Sequence, residues 1–167
     1  MTGKGQKGEI TIIRVGRERL DDIEPLWKAL FAHHASLPYP QLPTRTADES
    51  WRRRRRNYEK WIQEEGTFVL LAEVDDKPVG YAFVCIKEGS TSWQTAEKIG
   101  SLETLSVLPE YRNCGAGKAL MDEVYAELTK VGINELSLVV VDNNKDAIRF
   151  YERDGFQRTV TTYWRRF

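Results

Sequence analysis

In Val107-Leu-Pro-Glu-Tyr-Arg-Asn-Cys-Gly-Ala-Gly-Lys118 a strand ends and a helix begins. The run Ile99 to Val107 before it reads as a strand, and Pro109 removes a donor that a further ladder would need. After it, Leu120, Met121, Val124, Leu128 and Val131 recur at helical spacing, with Gly132 placed as a C-cap. Gly115 and Gly117 lie where that helix starts. Glycine there lets the backbone approach a ligand closely and leaves several N–H groups pointing outward. The helix end adds a partial positive charge, and Arg112 and Lys118 add full ones. The stretch therefore reads as an anion site suited to a pyrophosphate. It is neither the G-x-G-x-x-G dinucleotide fingerprint nor a P-loop. A plain tight strand-to-helix turn also satisfies the glycine pair, so the surrounding elements have to decide.

Downstream, Glu135–Val141 is an almost continuous β-branched run, the pattern of a strand covered on both faces. Asn143 to Asp154 reads as a short helix stopped by Gly155, and residues 157–167 as a closing strand. Upstream, Glu9–Gly16 reads as a strand. Ile23, Leu26, Trp27, Leu30 and Phe31 predict a helix from about Glu18 to Ala35, with Pro25 least costly in its first turn. Pro38, Pro40 and Pro43 exclude regular structure from the loop that follows. Asp48 or Thr46 can cap a second helix over about 48–65, whose apolar face is Trp51, Tyr58, Trp61 and Ile62. The five arginines 52–56 wrap right around it, so some face the side of Trp51 and Tyr58. Thr67–Val74 and Val79–Ile86, joined through Asp75-Asp76-Lys77-Pro78, predict a hairpin, and 87–97 a polar loop. Strands alternating with helices make an α/β (α+β) sheet.

The 167 residues fit a single domain over 9–167 behind a flexible tail, 1–8. Apolar residues at 41% and charged residues at 30% exclude a disordered chain. A formal net charge of +0 argues against a protein that grips nucleic acid through its overall field. Cys85 and Cys114 make neither a disulfide framework nor, without paired histidines, a zinc site, so no metal is expected and a reducing cytoplasm is. No apolar run approaches the roughly 18 residues of a membrane span.

Two signatures about 30 residues apart settle the surroundings. Arg112-x-x-Gly115-x-Gly117 matches the pattern [Q/R]-x-x-G-x-[G/A], and Asn143-Asn-Lys-Asp-Ala-Ile-Arg-Phe-Tyr-Glu-Arg-Asp-Gly-Phe156 matches an asparagine followed by A-x-x-F-Y-x-x-x-G-F. Together they resemble the GNAT N-acetyltransferase superfamily, by motif over 67–167 and by element order over the whole chain. The resemblance implies a mixed, mostly antiparallel sheet of six to seven strands with about four helices. It implies direct acetyl transfer from acetyl-CoA to an amine of a small molecule or protein. The alternative within the same fold is a non-catalytic acyl-CoA-binding module.

By position, the resemblance assigns the backbones of Leu105, Ser106 and Val107 to pantetheine and the acyl carbonyl. It assigns Arg112, Asn113, Cys114, Gly115, Ala116, Gly117 and Lys118 to the pyrophosphate. Asn143 or Asn144 would meet the pantetheine amides, and Ala147, Phe150 and Arg153 would line the CoA arm. Cys114 reads as an ordinary solvent-near thiol rather than a nucleophile. Tyr151 would protonate the departing thiolate. Glu103 is a candidate base, on the face of Leu105 by strand alternation until any bulge shifts the register. His33 and His34 are further candidates beside the acceptor loop. The family also makes a homodimer an expectation. The acceptor groove falls to 18–65 and 157–167, with Tyr39, Trp51, Tyr58 and Trp93 as candidate aromatics. The arginine run suits an acidic peptide, an anionic metabolite or RNA better than a polycation, unless it only pairs with Asp48, Glu49 and Glu59 as a solvated face.

Overall fold

The computed structural model describes residues 8–37, 43–165 and 167. Residues 1–7 of the expected tail, Pro38, Tyr39 and Pro40 lie outside the described residues. Among the described residues five strands lie in the order β1-β2-β3-β4-β5. They are β1 (Ile10–Val15), β2 (Phe68–Val74), β3 (Lys77–Glu88), β4 (Lys98–Val107) and β5 (Leu136–Leu138). The first four are antiparallel and β5 joins β4 in parallel. The helices are α1 (Leu20–Ser36), α2 (Ala47–Trp61), α3 (Ala116–Lys130) and α4 (Lys145–Arg153).

β2 reads as continuously apolar because both of its faces are covered. Phe68, Leu70, Ala72 and Val74 pack with Leu120, Met121, Val124 and Leu128 of α3. Val69 and Leu71 pack instead with Ile23 and Leu26 of α1 and Trp51 and Tyr58 of α2. Asp75 and Asp76, with φ of 50° and 60°, make the tight turn to β3. Two consecutive left-handed residues match the twist of a two-residue hairpin, and aspartate tolerates that region. Thr46 caps α2, its hydroxyl accepting from the Glu49 amide at 3.2 Å.

Pro25 lies in the second turn of α1 and leaves the Asp21 carbonyl without its helical donor. Three expectations need correction. Val131 is 64% exposed, because α3 ends before it and Gly132 (φ 76°) turns the chain away. The 135–141 run contributes only Leu136–Leu138 to the sheet, and Val139 beyond it is 96% exposed, not covered on both faces. Residues 157–165 form no strand, which leaves the sheet with five strands rather than six or seven.

Under α2, the Tyr58 hydroxyl lies 2.6 Å from Thr104 Oγ1 and 3.0 Å from the Tyr81 hydroxyl, all three buried. Burial pushes the Tyr58 phenol up to about 12 and the Tyr81 phenol in the same direction. Both phenols bind their proton more tightly folded than unfolded. Their contribution to stability is therefore complete below pH 10 and is lost as pH rises toward 12. Denaturant midpoints measured between pH 9 and 12 are expected to fall more steeply for the wild type than for Tyr58→Phe. Parallel slopes would contradict this.

Candidate functional site

Between β4 and α3 the chain makes a short 3₁₀ turn over Pro109–Tyr111 and then reverses through two left-handed residues, Asn113 (φ 58°) and Gly115 (φ 91°). Gly115 is the N-cap of α3 and, having no side chain, offers no capping oxygen. The N–H groups of residues 113–118 consequently donate to no acceptor among the described residues. Three belong to the first turn of α3 and three to the loop before it. Such a run of amides at a helix N-terminus can hold an anion. The turn seats itself, the Arg112 Nε donating to the Val107 carbonyl at 3.2 Å and the exposed Cys114 thiol to the Arg112 carbonyl at 3.4 Å. Lys118 forms an ion pair with Asp122, so its charge is partly matched within α3.

β4 leaves a second feature. It pairs with β5 only from Gly100 to Leu102, while its pairing with β3 continues to Val107. Residues 103–107 therefore have an unpaired edge where β5 diverges. The register against β3 also slips, since Phe83 faces Thr104 and Val84 faces Leu102. Glu103 is thus the extra residue of a bulge, which puts Glu103 and Leu105 on opposite faces. Leu105 packs toward α3. The Glu103 carboxylate pairs with Lys87 and accepts from the Ser101 hydroxyl at 2.8 Å. The Ser106 hydroxyl donates to the Leu26 carbonyl of α1 at 3.1 Å.

α4 closes the far side of the gap. A Cβ on Gly117 would stand 3.5 Å from the Phe150 ring and 4.0 Å from Val107, so helix start, strand end and α4 meet there. Buried Asn144 caps α4, its Oδ1 accepting from the Ala147 amide at 3.3 Å and from His33 Nε2 at 3.4 Å. The Tyr151 ring stands edge-on to Phe150 at 5.3 Å and Phe156 at 5.6 Å. Burial raises its phenol, which stays protonated at neutral pH. Arg153 is exposed.

A sequence model of the acetyltransferase (GNAT) family matches residues 27–156. The chain belongs to that family. Among its relatives, a mycothiol acetyltransferase of Geodermatophilus obscurus is 30% identical over 133 residues, which are 79% of this chain and 41% of the relative. This GNAT chain thus spans less than half the length of that relative. An aminoglycoside N-acetyltransferase solved in complex with CoA superposes with a TM-score of 0.71 at 20% identity, covering 97% of both chains. A GCN5-related N-acetyltransferase of Ralstonia eutropha gives 0.75 at 19% identity, covering 94% of this chain and 98% of the other. These likenesses carry the fold.

On the α1/α2 side of the GNAT sheet, Trp51 and Tyr58 are core residues, not groove lining. Trp93 is exposed on the loop between β3 and β4. The arginines 52–56 divide. Arg53 pairs with Glu49, and Arg55 with Glu59 and Asp21. Arg54 instead lies over Trp27 at 4.4 Å, with Tyr58 and Trp61 at 5.6 and 5.8 Å. Asp48 goes to Lys28. His34 is held below the usual histidine range by burial, then by His33 and Arg54. The spacing 54, 58, 61 is the signal that could have singled out Arg54 as the arginine on the aromatic stripe. Nothing in the sequence marked Trp27 as its platform. Among the described residues there is no cluster of His, Cys, Asp and Glu that could hold a metal, and no helix is long and apolar enough to cross a membrane.

Proposed function

We propose that this GNAT chain transfers an acetyl group from acetyl-CoA to an amine. The observation that carries the reading is the run of unpaired N–H groups at 113–118, standing beside the free edge of β4. These amides support binding of the diphosphate, and the edge at 103–107 supports pairing with pantetheine as an added strand. Asn144 spends its carbonyl oxygen on α4 and His33, which leaves its Nδ2 for a pantetheine amide. Acetyl-CoA supplies an activated acetyl thioester. A fixed backbone donor among residues 105–107 stabilises the oxyanion that develops on the carbonyl. The amine nitrogen bonds to the acetyl carbon, the carbon–sulfur bond breaks, Glu103 receives the amine proton, and Tyr151 gives its proton to the thiolate. Lys87 and Ser101 fix the carboxylate of Glu103 in place for that step.

Free-thiol release from acetyl-CoA across an amine panel tests the reading, and amine-dependent release is the expected result. Binding of CoA with no turnover of any amine would make the protein a non-catalytic acyl-CoA module. A second copy of the chain is a further partner, supported by the exposure of Val139, Val160, Tyr163 and Trp164. Light scattering is expected to return the dimer mass, and a monomer at every concentration contradicts it.

A further inference from the structure

We propose that the acceptor is a small amine carrying a carboxylate, and that Arg54, seated on Trp27, binds that carboxylate; the word acceptor rests on the transferase reading above. A pocket of about 180 Å³ between α1 and α2 is lined by Trp27, Arg45, Ser50, Arg53, Arg54 and Asn57. Three of the six are cations. Arg45 and Arg53 share the single carboxylate of Glu49, at 2.9 and 3.3 Å. Arg54 is half-buried and pairs with no carboxylate among the described residues. Three positive charges meet one negative, and the unmatched guanidinium is held over an indole ring. Stacking orders a planar fork of donors that fits a carboxylate with two parallel bonds.

Trp27 is held in place by its own burial. It is only 8% exposed, so the ring beneath the Arg54 guanidinium is fixed. The pocket lies on the α1/α2 side of the sheet. Leu26, next to Trp27, accepts from Ser106, and Tyr58, under Arg54, bonds Thr104. A ligand anchored at Arg54 therefore lies on the α1/α2 side of the sheet, the face to which the bulge turns Glu103. The same charges repel a polycation, and the volume suits a small molecule rather than a protein surface.

The test uses the full chain and amino acids, each paired with its decarboxylated amine. The carboxylated member is expected to have a kcat/KM about 100-fold higher, the upper end of what a hydrogen bond to a charged group contributes. Arg54→Gln is expected to bring that ratio close to unity. Arg54→Lys, which keeps the charge and the stem over Trp27 but not the fork, should fall between. Calorimetry with the amino acids reads the same pocket without turnover. Paired amines used equally by the wild type, or a ratio that survives Arg54→Gln, overturns the inference and leaves the transferase standing. Amino acids that bind through Arg54 while no amine is acetylated support the pocket and remove the transferase. Acetylation of acidic peptides alone overturns the small-molecule assignment.

Discussion

Tyr151→Phe is expected to lower kcat by about 100-fold, the lower end of acid–base contributions, with acetyl-CoA affinity nearly unchanged. The variant is a clean one. The ring's contacts are edge-on to Phe150 and Phe156, and phenylalanine keeps them. The hydroxyl makes no hydrogen bond among the described residues, so removing it orphans no partner. Burial raises the phenol, so the acid form persists well above neutral pH, and the wild type should show no loss of kcat from this group up to pH 10. Steady-state kinetics with an accepted amine, together with calorimetry of acetyl-CoA, checks both halves. Turnover equal to wild type removes Tyr151 from the chemistry and leaves it a packing residue.

The second large effect is expected at Gly115, where aspartate should weaken acetyl-CoA binding by about 100-fold relative to asparagine. The comparison is between two residues of one shape. Gly115 has φ of 91°, and a Cβ built there meets nothing within 4 Å. Asn and Asp both tolerate the left-handed region, so strain is common to the two variants and cancels. What remains is a carboxylate set among the amides that would hold the diphosphate. Two charges about 5 Å apart at a protein surface repel by roughly 3 kcal/mol, and each 1.4 kcal/mol is tenfold in affinity. The fold itself should favour aspartate, because a negative charge at a helix N-terminus stabilises by about 0.3–1 kcal/mol. The Asp variant should thus melt at or above the Asn variant while binding more weakly. Equal affinities would place the diphosphate elsewhere.

These two residues differ in how openly the sequence declared them. Gly115 and Gly117 were legible because a glycine pair at a strand-to-helix turn opens the backbone to a ligand, although only Gly115 is left-handed. Asp75-Asp76 was legible for a similar local reason. The apolar runs of β2 and α3 were legible because burial writes itself as periodicity. Glu103 was less so. Its face depends on a bulge set by pairing with β3, a tertiary fact that alternation cannot carry. Trp51 and Tyr58 have the composition of a binding groove but are claimed by the core under α2. The 135–141 run has strong β propensity, yet propensity does not supply a neighbour, and β5 pairs over three residues only. The arginine run gives charge by composition; only packing reveals that its members go to Glu49, to Glu59 and, for Arg54, to Trp27.

The central claim is that the amides of residues 113–118 hold the diphosphate of coenzyme A. A crystal structure of the full chain grown with CoA tests it most directly. The account predicts phosphate oxygens within hydrogen-bonding distance of several of those N–H groups, with pantetheine lying along 103–107 between β4 and β5. Coenzyme A bound with its diphosphate away from the α3 N-terminus, or no binding at millimolar cofactor, would contradict it.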